Sequence, residues 1–441
     1  ICGVCPSAHH LAATHALDDL YKVVPTPTAR AIREAFYMLF MLEDHALHFY
    51  YLAAPDFVVG PSAPPATRNV LGLLDTVDAA TGKKVLEIRH RARKLMGKMG
   101  GKPIHPVLGL PGGVSKGVSQ ELRDELAHFA DDAVVFAQST LKTFHELVLG
   151  NDTYRELIFS AAYTEPTNYM GLVNDAGQVS FCEGKLRIVD PHGNERVTFD
   201  AHDYASLFAE HVEEWSYIKF PYLRSEGWKG FVGGSESGIV RVAPLARLNV
   251  AKSMATPLAQ EEFERLFETL GTKPAHFTLA THWARLVELL YATERLRELA
   301  AVDELMGDKL RNMDLQTPKE GVGVVEAPRG TLIHHYQTDE RGLLTHVNLM
   351  VATLFNAAPM SMSIERAARA LIRKGVVNDG LLNKVEMAFR AYDPCLSCAT
   401  HHQPERPIFD VIVRGRDGRI RGHVVREGGR DRFVPATTEE R

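Results

Sequence analysis

Ile1-Cys2-Gly3-Val4-Cys5-Pro6-Ser7-Ala8-His9 at one end of the chain, and Asp393-Pro394-Cys395-Leu396-Ser397-Cys398-Ala399-Thr400-His401 near the other, carry four of its five cysteines. Two thiolates three residues apart can hold one metal from a single turn of chain, and a second such pair completes a four-sulfur shell if the fold brings the ends together. Each pair is followed by a histidine, His9 four residues after Cys5 and His401 three after Cys398. Three chemistries use such sulfurs: a structural zinc site, a thioredoxin-like dithiol, and a redox centre whose thiolates bridge two metals. Zinc ribbons usually set their pairs close together in sequence, and a thioredoxin-like pair wants a preceding strand in a βαβ unit, which this pattern lacks. Bridging thiolates favour soft or borderline ions such as nickel and iron.

Outward from these ends, the 441 residues show no linker, repeat or low-complexity tract, so one domain with a large core is expected despite the length. A net charge of -5 gives no reason to expect nucleic acid or an anionic membrane as partner. The longest apolar stretch, 35–55, is broken by Glu43, Asp44 and two histidines and reads as a buried helix, so no membrane span is expected. Four paired thiols and one odd cysteine suit a reducing compartment, with cytoplasm the default. Ile1 stands where Met would begin a chain and falls inside a motif, as in a piece of a longer protein.

Helical patterning dominates: helices are expected over 28–54, 66–98, 119–149, 259–271 and 279–313, over 364–374 with Ser363 as N-cap and Gly375 closing it, and over 380–391. Residues 155–200 mix β-branched residues with turn signals at 174–177 and 190–194 and read as a hairpin insertion. Residues 408–425 read as a further hairpin around Asp417-Gly418. The fold class is therefore mainly α, a helical core with β-hairpin insertions.

The two cysteine motifs resemble the paired signatures of the nickel-iron hydrogenase large subunit. Glu326-Ala327-Pro328-Arg329-Gly330, the segment from His45 to Asp56, and residues 100–113 (GGKPIHPVLGLPGG) resemble the same family, so the likeness spans essentially the whole chain. Within it the chain looks most similar to the cytoplasmic methyl-viologen-reducing, heterodisulfide-reductase-linked type, with the NAD-reducing type as its neighbour. The resemblance implies Cys2 and Cys395 as terminal nickel ligands, and Cys5 and Cys398 as bridges to an iron that carries carbon monoxide and cyanide. Cys395 is the first candidate base for the proton of split dihydrogen. It also implies His9 as a donor to the Cys5 sulfur, Arg329 over the open metal face, Asp56 and Asp393 holding that guanidinium, and Pro328 and Thr353 near the iron ligands. At Thr353 the family's Pro-Ser/Thr pattern is replaced by Ala352-Thr353. His401 and the Leu349 carbonyl are implied as ligands of a third ion, magnesium or iron, while the glutamates that complete that site and relay the proton are expected ahead of the first pair.

With no cysteines left for clusters, electrons must leave through the iron-sulfur small subunit of a hydrogenase, then through further electron-transfer subunits. His105, Pro106 and the glycines at 112 and 113 are candidates to face that partner. The family's maturation protease would cut between His401 and His402, giving a catalytic domain over 1–401 and a removed tail over 402–441. A solvated hairpin that stays attached is the alternative for that tail. Cys182 reads as a structural thiol. Residues 109–117 lack the Gly-Lys of a phosphate loop. The competing functions are a quinone-lining respiratory relative, which would lack the four cysteines, a hydrogen sensor, and a zinc-held scaffold.

Overall fold

The computed structural model describes residues 3–77, 79–373, 378–399, 409–415, 417–427 and 430–438. The chain divides into two compact units, one of Ile1–His211 with Phe220–Ala399 and one of Val212–Lys219 with Thr400–Arg441.

In the first unit, the helices longer than ten residues among the described residues are α1 Pro6–Leu20, α2 Pro27–Leu47, α3 Ala79–Gly100, α4 Gln120–Phe144, α5 Pro257–Leu270, α6 Thr281–Ala301, α7 Ala352–Leu371 and α8 Asp379–Arg390. Thr26 caps α2, its hydroxyl accepting from the Ala29 N–H, with Pro27 in the first turn where its missing N–H costs nothing. The helix is buried on nearly every face and runs on through a π-helix, His48–Ala53, into Ala54–Val58. It packs against α6, which packs in turn against α4, where Trp283, 1% exposed, meets Phe144. Gly271 ends α5 at φ 68°, the left-handed cap that glycine adopts without strain.

Among the described residues, two sheets of three or more strands lie in this unit. The strands β1 Asn168–Val173, β2 Lys185–Val189 and β3 Glu195–Phe199 form antiparallel neighbours, with Val240–Arg241 parallel to β1. A second antiparallel sheet holds β4 Glu320–Ala327, β5 Gly330–Thr338 and β6 Leu344–Met350, with β5 in the centre. Apolar side chains of the two sheets, among them Leu172, Ile188, Val322 and Ile333, form one buried cluster with Phe355 of α7. The second unit contains an antiparallel sheet of β7 Phe409–Arg414, β8 Ile420–Glu427 and β9 Arg430–Pro435.

The helical majority and the strands within 155–200 match expectation, with three corrections. The helix expected over 66–98 is two, Val70–Thr76 and α3. That over 279–313 stops at Ala301. Ser363 does not cap a helix start: α7 already begins at Ala352, because the apolar run from there is buried, and the Ser363 hydroxyl instead pairs with the Tyr392 hydroxyl at 2.8 Å. The sheet over 320–350 and helix α1 go beyond the sequence expectation, although both position the candidate site.

Candidate metal centre

Helix α1 carries the first cysteine motif against the central sheet. Gly321 and Gly323 of β4 let it approach: a Cβ on Gly323 would stand 2.2 Å from the Ala12 carbonyl oxygen, and one on Gly321 2.2 Å from that of Ala16. Ala8, Ala12 and Ala16, one helical turn apart, have no exposed surface. Cys5 and His9, at the start of this helix, are thereby pressed beside the hairpin that joins β4 to β5.

That hairpin is the Glu326–Gly330 motif. Ala327 pairs with Gly330, leaving Pro328 and Arg329 as its tip. Gly330 has φ 127°, and a Cβ there would lie 2.3 Å from Val242, so both backbone and space demand glycine. Glu326 is fully buried and receives Arg247 Nη1 at 2.8 Å, the Leu172 N–H and the Thr331 hydroxyl. Arg247 also donates to the Ala327 carbonyl at 2.9 Å and grips Glu288 through two bonds of 2.6 and 2.5 Å. A buried charge network thus anchors the tip. Asn356 of α7 holds it from the other side through the Arg329 carbonyl.

The second cysteine motif follows α8. Asp393 adopts φ 55°, a left-handed turn that aspartate tolerates better than most residues, immediately before Pro394 and Cys395. The Cys395 N–H donates to Thr353 Oγ1 at 3.0 Å, and a single helical turn, Leu396–Ala399, delivers Cys398.

The ends do meet. Cys5 Sγ lies 3.5 Å from Cys398 Sγ, and Cys398 Sγ 3.0 Å from Cys395 Sγ, although Cys5 and Cys398 are 393 positions apart. These separations exceed a disulfide bond. Sulfurs this close could be shared by one metal at bonds of about 2.3 Å. One ring nitrogen of His9 lies within 4.8 Å of the Cys5 and Cys398 sulfurs. Ala327, Leu332, Val351 and Ala352 supply apolar walls to the same pocket, and Arg329 and Thr353 its polar ones. Cys2 and His401 lie outside the described residues. Leu349 is placed on β6, opposite His334 of β5.

Arg329 is 5% exposed, and its guanidinium forks to Asp44 at 3.2 Å and Asp393 at 3.0 Å. Burial opposes its charge, but Asp393, Asp44 and the sulfurs of Cys5 and Cys395 more than offset this, so it stays charged. Burial pushes the Asp44 carboxyl up to about 6 against the pull of Arg329, and burial raises Asp393 likewise. Arg329 Nε and Asp44 Oδ1 are buried with no hydrogen-bond partner among the described residues. Asp393 is therefore where the sequence put it, and Asp56 is not. Asp56 receives Asn383 at 2.9 Å and lies near Arg390 and Arg68, at 3.5 and 3.7 Å. It sits twelve residues beyond Asp44 along continuous helical chain, roughly 18 Å at helical rise, too far to share one guanidinium. In the sequence Asp44 reads only as an interruption of an apolar stretch. A carboxylate inside a helix that is apolar all round was the available signal, because such a group is almost never buried without a partner.

The chemistry of the set suits soft transition metals: closely grouped sulfurs, an adjacent imidazole, apolar walls and a fixed cation lining the same pocket. A closed structural zinc shell has no use for a guanidinium held over its sulfurs.

A family model described as nickel-dependent hydrogenase matches residues 1–70 and 192–401. An F420-non-reducing hydrogenase iron-sulfur subunit of Archaeoglobus profundus is 45% identical over 95% of this chain and 86% of its own length. The NAD-reducing hydrogenase HoxS subunit beta of Cupriavidus necator is 39% identical over 96% and 88%. Among solved structures, an NAD+-reducing [NiFe]-hydrogenase in the H2-reduced state superposes with a TM-score of 0.84 at 37% identity, covering 91% of this chain and 86% of that one.

Proposed function

Since the chain belongs to the nickel-dependent hydrogenase family and is a hydrogenase large subunit, we propose that Cys2, Cys5, Cys395 and Cys398 hold a nickel-iron centre and that the chain catalyses reversible heterolysis of dihydrogen. The observation that carries this is the convergence of three described cysteine sulfurs, Cys5, Cys395 and Cys398, within 3.5 Å steps beneath Arg329. When bound, a nickel-iron pair with carbon monoxide and cyanide on iron supplies the electron-accepting pole at which dihydrogen is polarised. The Cys395 thiolate then takes the proton at Sγ. Arg329, locked between Asp44 and Asp393, holds a positive charge beside the sulfurs, and its unpartnered Nε would serve a polar ligand of a bound iron. The apolar walls exclude water, which strengthens both interactions. Thr353 fixes the Cys395 backbone, and Pro328 stiffens the turn that presents Arg329.

Electrons leave to an iron-sulfur small subunit, then to further electron-transfer subunits. The relatives' names support a soluble acceptor system of the F420-non-reducing or NAD-reducing kind. Among the described residues no helix is long and apolar enough to cross a membrane, and a cytoplasmic setting suits the paired cysteines. A third ion, magnesium or iron, is proposed at His401 and the Leu349 carbonyl, and a maturation protease is proposed to separate 1–401 from 402–441.

Metal analysis and infrared spectroscopy of the purified complex test the assignment. One nickel with iron per chain, together with carbonyl and cyanide bands lost in Cys5→Ser and Cys398→Ser, is the expected result. Stoichiometric zinc without those bands would overturn it.

A further inference from the structure

Strand β5 sends two side chains from one face toward α1, two residues apart as the strand period requires: His334 and Tyr336. His9 Nδ1 lies 3.0 Å from His334 Nε2, and His334 Nδ1 lies 2.6 Å from the Tyr336 hydroxyl. His9 and His334 are 6% and 2% exposed, and β5 is the central strand of its sheet, so the row is rigidly held. The three groups form an unbroken line from a half-buried phenol to the sulfur cluster. Neither His334 nor Tyr336 has a part in the chemistry above.

A neutral imidazole carries one N–H and one bare nitrogen, so this line admits two polarities. In the first, the Tyr336 hydroxyl donates to His334 Nδ1, His334 Nε2–H donates to His9 Nδ1, and the His9 proton is on Nε2. In the second, every bond reverses, and His9 Nε2 is a bare lone pair. His334 remains neutral, because burial, with His9 alongside, pulls it down to about 3. Burial pushes the Tyr336 phenol up to about 12, so it keeps its proton. A phenol O–H is a stronger donor than a neutral imidazole N–H, which favours the first polarity. The other end favours it too, since Nδ1 is taken by His334 and Nε2 is the nitrogen left for the sulfurs. An N–H beside a thiolate is attractive, whereas a lone pair there is repulsive.

We propose that His334 and Tyr336 are positioning residues for the metal centre, fixing His9 in the tautomer whose proton sits on Nε2 and is aimed at the Cys5 and Cys398 sulfurs. This rests on the nickel-iron reading of those sulfurs. A thiolate that accepts this bond gives less electron density to its metals, and one that loses it gives more, which lowers the stretching frequencies of carbonyl and cyanide on iron.

The test is infrared spectroscopy of the intact holoenzyme, with nickel content measured alongside. Tyr336→Phe should move the carbonyl and cyanide bands to lower wavenumber with nickel unchanged. Tyr204→Phe is the control: Tyr204 bonds His335 Nδ1 at 2.8 Å on the opposite face of the same strand, and its bands should coincide with wild type. His334→Phe, which fills the ring space but neither receives the phenol nor donates to His9, should also lower the bands, and adding Tyr336→Phe to it should produce no further shift. Wild-type band positions in Tyr336→Phe, or an equal shift with His334 present and absent, overturn the proposal. If Tyr336→Phe fails to load nickel, His334→Phe decides alone, unmoved bands refuting and lowered bands supporting. Wild-type enzyme without nickel or such bands would instead bring down the metal assignment itself, a distinguishable outcome.

Discussion

Arg247→Met removes the cation on which the buried anchor of the Arg329 hairpin depends. Arg247, Glu288 and Glu326 have no exposed side-chain surface. Burial pushes the Glu288 carboxyl up, but the charge and two hydrogen bonds of Arg247, with a bond from His45, bring it below the usual range. Burial wins at Glu326, which sits above its usual range although Arg247 pulls it down. Without the guanidinium, two carboxylates and the Ala327 carbonyl are left in a dry site, a loss of about 3–5 kcal/mol for a broken buried pair. Proton uptake by one carboxylate sets the upper bound on that cost. Against a total stability of about 5–15 kcal/mol, this is a large share. Arg295→Met is the comparison: Arg295 and Glu34 are 33% and 26% exposed at 2.7 Å, and such a pair contributes about 0–1 kcal/mol. Urea unfolding of both variants, followed by fluorescence, measures the difference, and hydrogen oxidation by the folded fraction should fall in Arg247→Met because the Arg329 tip loses its brace. A destabilisation within about 1 kcal/mol of the Arg295 variant would refute the reasoning.

Gly323→Ala places a methyl group 2.2 Å from the Ala12 carbonyl oxygen; α1 must lift from β4, costing about 1–3 kcal/mol as overpacking does and lowering nickel content, which metal analysis would reveal. Asp44→Asn replaces a charge-assisted bond to Arg329 with a neutral one, a loss of about 1 kcal/mol and so about fivefold in turnover, whereas Asp56→Asn, remote from Arg329, should leave turnover within about twofold; equal losses in hydrogen-oxidation assays would contradict the assignment. Acid should destabilise the fold: burial pulls His282 and His334 down to about 3, so the unfolded chain binds protons first as pH falls below about 6.5, and each group forfeits about 2 kcal/mol by pH 5. Asp44, raised to about 6, has the opposite sign and returns about 1 kcal/mol over the same interval; a urea midpoint that rose between pH 7 and pH 5 would contradict this balance.

How much could be read beforehand follows from the range of each interaction. Cys5, Cys395 and Cys398 are set three residues from a partner cysteine, a local spacing that any reading of the chain exposes. The hairpin bearing Arg329 was visible as a motif but not as a hairpin, although the β-branched residues of 322–325 and 331–333 carried a strand signal beside it. Helix α1 is rich in alanine and weakly amphipathic, and its reason for existing, a glycine-lined strand, is some 300 positions away. Ser363 has the residue type of a cap, and tertiary burial of the segment before it overrode that preference.

The amino-acid sequence by itself determined the paired cysteine motifs and the class of fold, because cysteines three residues apart, a proline-glycine turn and a predominantly helical body are written in contacts only a few residues apart. Tertiary structure alone decided which carboxylate serves Arg329, which imidazole stands behind His9, and that sulfurs 393 positions apart come within 3.5 Å. Those choices depend on close packing of distant segments, where roughly 18 Å along one helix separates the aspartate that reaches the guanidinium from the one that does not.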